Sequence, residues 1–155
     1  MEKYLRLLNP KTTNFDAIGG GNFGALTRED VLLAISYARL SSKQAKLIRM
    51  YAFGDNTIEV ITEQSQVLET EYCYQNHIDH ATALRVALIE LFACPATYKP
   101  SERNRAVLAG LSRMKIQRVV GSLIDDYRKD IAVDLKDAMQ KVKRQINKLM
   151  DNEIY

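Results

Sequence analysis

The chain has no tryptophan, three prolines, two cysteines and no apolar run long enough to span a membrane. Each scarcity removes a class of protein. Two cysteines, Cys73 and Cys94, cannot build a disulfide framework. The N-terminus lacks the hydrophobic core of a signal peptide, so a cytoplasmic protein with no membrane partner is expected. Without tryptophan, stacking on bases falls to tyrosines such as Tyr72 and Tyr74, which more commonly serve as half-buried packing. Lysine and arginine are absent between Arg49 and Arg85, an interval that carries Asp55, Glu59, Glu63, Glu69, Glu71 and Asp79.

Chemistry is scarce too. The stretch GGGNFG (19–24) lacks the GK[ST] ending of a P-loop, and no strand precedes it. Asp125 and Asp126 are adjacent, so on a helix they diverge by about 100° instead of converging on one metal. Cys73 and Cys94 lie in apolar or helical surroundings with no obvious third member for a catalytic set. No enzyme and no cofactor are expected. One set of metal donors exists by residue type. Cys73, His77 and His80 are spaced by four and three, one face of a helix if the segment is helical, and Cys94 would complete a zinc-type donor set. No pair has CxxC spacing, and buried thiols with surface imidazoles explain the same residues.

What remains is a chain of 155 residues, 46% apolar and 26% charged, with a net charge of +3. That composition fits one helical domain with a real core. The net charge is small, but its distribution is not even: an acidic middle precedes a basic C-terminal half. Segregation of this kind suits approach to a polyanion, although solvated helix faces produce it as well.

The periodicity predicts an all-α fold. Residues 1–26 read as a flexible arm, with Pro10 and four glycines and no periodic pattern after Asn9. Residues 27–155 read as one helical domain. Thr27 and Asp30 resemble a capping box, and Val31, Ile35 and Ala38, with Leu32 beside them, form a buried stripe. A second helix starts near Ser41 or Ser42 and stops at Gly54. Over 57–75, Ile58, Val60 and Ile61 favour strand locally while the Glu and Gln content favours helix, and helix is expected. HATALRVALIELFAC (80–94) is the central buried helix, ended by Pro95. A last helix runs from about 131 to 150, with Leu135, Met139, Val142, Ile146 and Leu149 at heptad spacing. This seam either pairs with a second copy in a homodimer or lies on the body of the domain.

The organising stretch is ERNRAVLAGLSRMKIQRVVG (102–121), which reads as a helix-turn-helix. Ala106 is the small residue at the crossing, Gly110 the turn, Leu111 the plug and Ser112 the cap of the second helix. Ile116 and Val119 would hold that helix against the first. Arg113, Lys115, Gln117 and Arg118 then face outward as the base- and phosphate-reading set, with Ser112 at its start and Arg103 and Arg105 on phosphates. The expected partner is double-stranded DNA. An ordinary helical hairpin with a basic face explains the same residues.

The pattern as a whole resembles the late-gene antitermination protein Q family of lambda-like phages. The likeness rests on NPKTTNFDA and the glycines after it, on LTREDVLLAI (26–35), and on LRVALIELFACPATYKPS (84–101). Longer family members carry paired CxxC zinc motifs, which this chain lacks, so it is similar to a shorter, zinc-free variant. The resemblance implies binding beside a late promoter in the bacterial host, engagement of paused RNA polymerase with its sigma factor, and passage through terminators. The acidic middle would then face polymerase or sigma. A repressor or activator that stays on its operator, and a helical protein-interaction module, are the alternative readings.

Overall fold

The computed structural model describes residues 5, 8, 26–73, 75–95 and 97–152. Among these residues the regular structure is helical, with no strand. Six helices succeed one another, and each begins at a residue whose side chain can accept from the first turn.

Helix α1 (Arg28–Tyr37) opens on the expected capping box: Thr27 Oγ1 accepts from the Asp30 amide at 3.2 Å, and Asp30 Oδ2 accepts from the Thr27 amide at 2.8 Å. Its buried face is Val31, Ala34 and Ala38; Ile35 is half-buried and Leu32 is exposed. Helix α2 (Ser42–Ala52) is capped by Ser41 with Gln44, and Gly54, at φ 80°, lies just past its end. Helix α3 (Ile58–Tyr72) is capped by Thr57. Its buried residues Ile61, Ser65, Leu68 and Tyr72 step by four, three and four. One buried stripe at helical spacing outweighs the local strand preference of Ile58 and Val60. Helix α4 (Ile78–Phe92) is buried from Val86 through Glu90, and at Ala83, Leu84 and Phe92.

Helix α5 (Glu102–Ala109) is capped by Ser101 and ends in a left-handed Gly110 at φ 67° and ψ 32°. The Gly110 amide donates to Val107 O at 3.3 Å and the Leu111 amide to Ala106 O at 3.1 Å, the paired bonds of a Schellman motif. Helix α6 spans 113–152. It enters through Arg113–Lys115, widens into a π turn over Ile116–Val120, and continues as Gly121–Asn152, 32 residues. The turn and the Ser112 cap therefore match the expectation, but the second helix is not a short one. It is the head of a long helix, and the break expected before Ile131 is absent. Residues 122–150 contain neither glycine nor proline, so nothing interrupts the backbone ladder.

The π turn also changes which residues face inward. Val119, expected to pack on α5, is 44% exposed, while Ile116 and Val120 are buried. A wider turn places positions four apart, not three, on one face. The Gly121 amide donates to Ile116 O, and a β-carbon at 121 would lie 2.7 Å from that oxygen. Gly→Ala inside an ordinary helix stabilises by about 1 kcal/mol. Gly121→Ala here is expected to destabilise by about 1–3 kcal/mol, because the carbonyl it meets is backbone. A urea titration reads the sign directly, and a raised midpoint would refute this cost.

The chain divides into two compact units, where the sequence suggests an arm and one body. One unit joins Met1–Gly54 with Asp134–Tyr155; the other is Asp55–Val133. In the first, Leu5 and Leu8 are buried with Val31 and Ala52, against Met139. Within the arm expected over 1–26, Leu5 and Leu8 are thus buried; the rest of it, apart from Leu26, lies outside the described residues. Val142 and Ile146 are buried with Ala34 and Ala38, and Leu149 packs beside them. Met139, Val142, Ile146 and Leu149 of the heptad seam thus pack on their own chain. The core of the second unit is α4, which α3, α5 and the head of α6 surround.

Candidate nucleic-acid interface

The head of α6 is seated by charge. Glu90 sits in the apolar half of α4, and its side chain is fully buried. An isolated carboxylate there would be too costly to keep ionised, so it must be paired. Arg105, on α5, meets it with two bonds: Nε to Oε1 at 2.9 Å and Nη2 to Oε2 at 3.1 Å. The same guanidinium reaches α6, with Nη2 2.7 Å from Asp125 Oδ1 and Nη1 3.3 Å from Gly121 O. Arg128 Nη1 adds a bond of 2.8 Å to Glu90 Oε2, and the Tyr98 hydroxyl donates to Oε1 at 2.8 Å. One buried carboxylate thus joins α4, α5, α6 and the connector before α5.

The cluster shifts its members. Burial alone would lower Arg105, but the bonds and charge of Glu90 and Asp125 outweigh it and hold the guanidinium above its ordinary range. Burial, and then the bond to Glu90, push the Tyr98 phenol above its ordinary value. A group raised in the folded state contributes stability that is complete below its unfolded pKa, near 10 for tyrosine, and is lost as pH rises beyond it. Tyr98→Phe is therefore expected to remove one tyrosine that ionises above the ordinary range from an absorbance titration of the native protein. An unchanged titration would contradict that assignment.

The sequence places Arg105 on phosphate. In the structure it is 8% exposed and its bonds go to Glu90, Asp125 and Gly121 O, so the guanidinium is taken up within the protein and not presented to phosphate. Lys115 is half-buried, with Nζ 2.7 Å from Asp79 Oδ1, and that hydrogen bond holds the Asp79 carboxyl below the usual range. Ser112 is exposed, but its hydroxyl accepts from the Lys115 amide at 3.3 Å. Arg103, Arg113, Gln117 and Arg118 are exposed, with Gln117 and Arg118 inside the π turn. Exposed apolar side chains sit in the same segments: Val107, 77% exposed, and Met114, 58%.

Helix α3 ends at Tyr72, Cys73 comes after it, and His77 caps α4, so Cys73, His77 and His80 do not share a helix face. His77 Nδ1 accepts from the Asp79 amide at 3.1 Å. His80 Nδ1 lies 2.6 Å from the Tyr127 hydroxyl, with the two rings edge to face. Burial raises both thiols, against a hydrogen bond from Tyr127 at Cys73 and reinforced by Glu90 at Cys94. Among the described residues no group of three or more His, Cys, Asp or Glu could hold a metal ion. No helix among them is long and apolar enough to cross a membrane.

Sequence reasoning misses Glu90, Asp125 and Arg128 as members of the cluster. The one signal for it is an acid embedded in the apolar run of α4. No protein-family model, no curated protein and no solved structure matches this chain.

Proposed function

We propose that the Asp55–Val133 unit binds duplex DNA with the head of α6, and that the chain is a transcription factor of the antitermination type. The observation that carries the DNA reading is the exposure of Arg113, Gln117 and Arg118 on the first turns of a helix whose seat is a buried ion-pair cluster. Arg and Gln are the side chains that form bidentate bonds to guanine and adenine. The head of a helix also presents free amides and positive dipole toward phosphate. A π turn at the contact residues supports the same reading, because such turns are frequent at functional sites. Arg103 on α5 would add a phosphate contact.

The antitermination part rests on the resemblance in the sequence. Its partners would be bacterial RNA polymerase and sigma factor, met by acidic residues of α3 such as Glu63 and Glu69. Selection of duplex DNA from a random pool tests the first claim, and terminator readthrough in a purified transcription system tests the second. An enriched motif without readthrough would leave a repressor or activator. One observation favours another reading: Val107 and Met114 are exposed beside the cations, as in a module that docks on an acidic protein. A salt series separates the two, because phosphate contacts make affinity fall steeply with salt.

A further inference from the structure

The other unit carries a cleft of about 470 Å³ lined by Arg39, Lys141, Arg144 and Lys148, with the amides of Gln145 and Asn147. No carboxylate is among its lining residues. We infer that this cleft binds clustered phosphate groups, either a free polyphosphate or the backbone of a nucleic acid, independently of the head of α6.

The arrangement is built by packing. Val142 and Ile146 are buried against Ala34 and Ala38, which fixes the face of α6 that adjoins the end of α1. Positions 141, 144, 145 and 148 lie on a neighbouring stripe at helical spacing. Arg39 comes directly after Ala38, in the turn between α1 and α2.

Two features oppose stability there. Like charges three and four residues apart on a helix repel. Lys141 is partly compensated by Asp137 at 3.3 Å and by Gln44 Oε1 at 3.0 Å, and the charge of Asp137 also acts on Arg144, whereas Lys148 is exposed. Arg39 has φ 50°, a left-handed conformation where glycine or asparagine would be at ease. The left-handed position directly after the Ala38 cap is where helices commonly end, and here it carries a guanidinium that lines the cleft instead of a glycine. Two guanidiniums and two amides supply the fork geometry and extra donors that phosphate oxygens accept. A singly charged carboxylate would leave most of that charge uncompensated.

The test uses the full chain, titrated calorimetrically at low salt with inorganic tripolyphosphate and, separately, with a short DNA duplex. Polyglutamate serves as the acidic-peptide competitor. Wild type is expected to bind tripolyphosphate. Arg39→Gly/Arg144→Gln/Lys148→Gln is expected to weaken it by about tenfold or more, the scale of one charge-assisted bond. Arg113→Ala/Arg118→Ala is expected to keep the tripolyphosphate binding that the triple variant loses, so failure of the DNA reading and failure of this one are distinguishable. Thermal unfolding controls for folding: glycine at position 39 suits the left-handed turn, so Arg39→Gly alone should unfold no earlier than wild type yet bind more weakly. If wild type gives no tripolyphosphate heat, the inference is overturned. So it is if the triple variant binds equally, or if polyglutamate competes equally well.

Discussion

Replacing Arg105 with alanine should destabilise the Asp55–Val133 unit by about 3–5 kcal/mol, the cost of removing one partner from a buried ion pair. Glu90 has no exposed side-chain surface while Arg105 covers it, and the lost guanidinium supplies two of the four bonds to its carboxylate. Arg128 and the Tyr98 hydroxyl remain on it, but Arg128 reaches only Oε2 and Tyr98 only Oε1. Asp125, with 57% of its side chain exposed, simply returns to solvent. Arg105→Lys should recover only part of the loss, because an ammonium cannot make the two parallel bonds and reach Gly121 O at the same time. Arg128→Ala should cost less, since its side chain is 30% exposed and makes one bond to the carboxylate. Replacing Glu90 and Arg105 together by apolar residues of similar volume should come close to neutral, which would identify the penalty as that of a buried carboxylate short of its main partner. Urea unfolding of this series provides the comparison. A loss below about 1 kcal/mol for Arg105→Ala would mean that the cluster does not hold the two helices.

The second large effect is on binding. Arg113→Ala/Arg118→Ala is expected to abolish selection of a DNA sequence and to leave the fold unchanged, since both side chains are exposed. If each arginine reads a base, each truncation costs about 1–3 kcal/mol and relaxes one position of the site. If each meets a phosphate, all sequences weaken alike and the salt slope falls by about 1 per residue. The same experiment on Arg103→Ala should show only the second behaviour. Wild-type selectivity in the double variant would return the head of α6 to an ordinary basic helix end. The docking reading built on Val107 and Met114 would then stand first.

Local chemistry is legible in the sequence. Thr27, Ser41, Thr57, Ser101 and Ser112 each cap a helix, because capping depends on a residue and its neighbours two or three positions on. Gly110 is legible for the same reason: a left-handed turn after a helix favours glycine. On the expected faces of α1 and α6, Val31, Ala38, Val142 and Ile146 are buried, Ile35, Leu135, Met139 and Leu149 half-buried and Leu32 exposed, since a residue at the edge of a stripe is buried or not by what lies opposite.

The candidate interface is legible only in part. The exposure of Arg103, Arg113, Gln117 and Arg118 agrees with a basic outer face, whereas Arg105 has the same chemistry and the opposite role. Nothing within α5 distinguishes Arg103 from Arg105 as strongly as Glu90 does, and Glu90 is 15 residues earlier in the chain. Val119 departs from its expected face because the π turn depends on the close approach of Ile116 O to Gly121, not on the hydrophobic pattern. Likewise, the left-handed Arg39 becomes informative only when Arg144 and Lys148 are brought beside it by the packing of Val142 and Ile146. The helical class, the caps at Thr27, Ser41 and Ser112 and the glycine turn were thus settled by the amino-acid order alone, since they depend on interactions a few residues long. Which charges are buried, which are free to meet a ligand, and the division into two units were settled by folding in three dimensions. Those outcomes depend on partners distant in the chain, whose pairing no local pattern encodes.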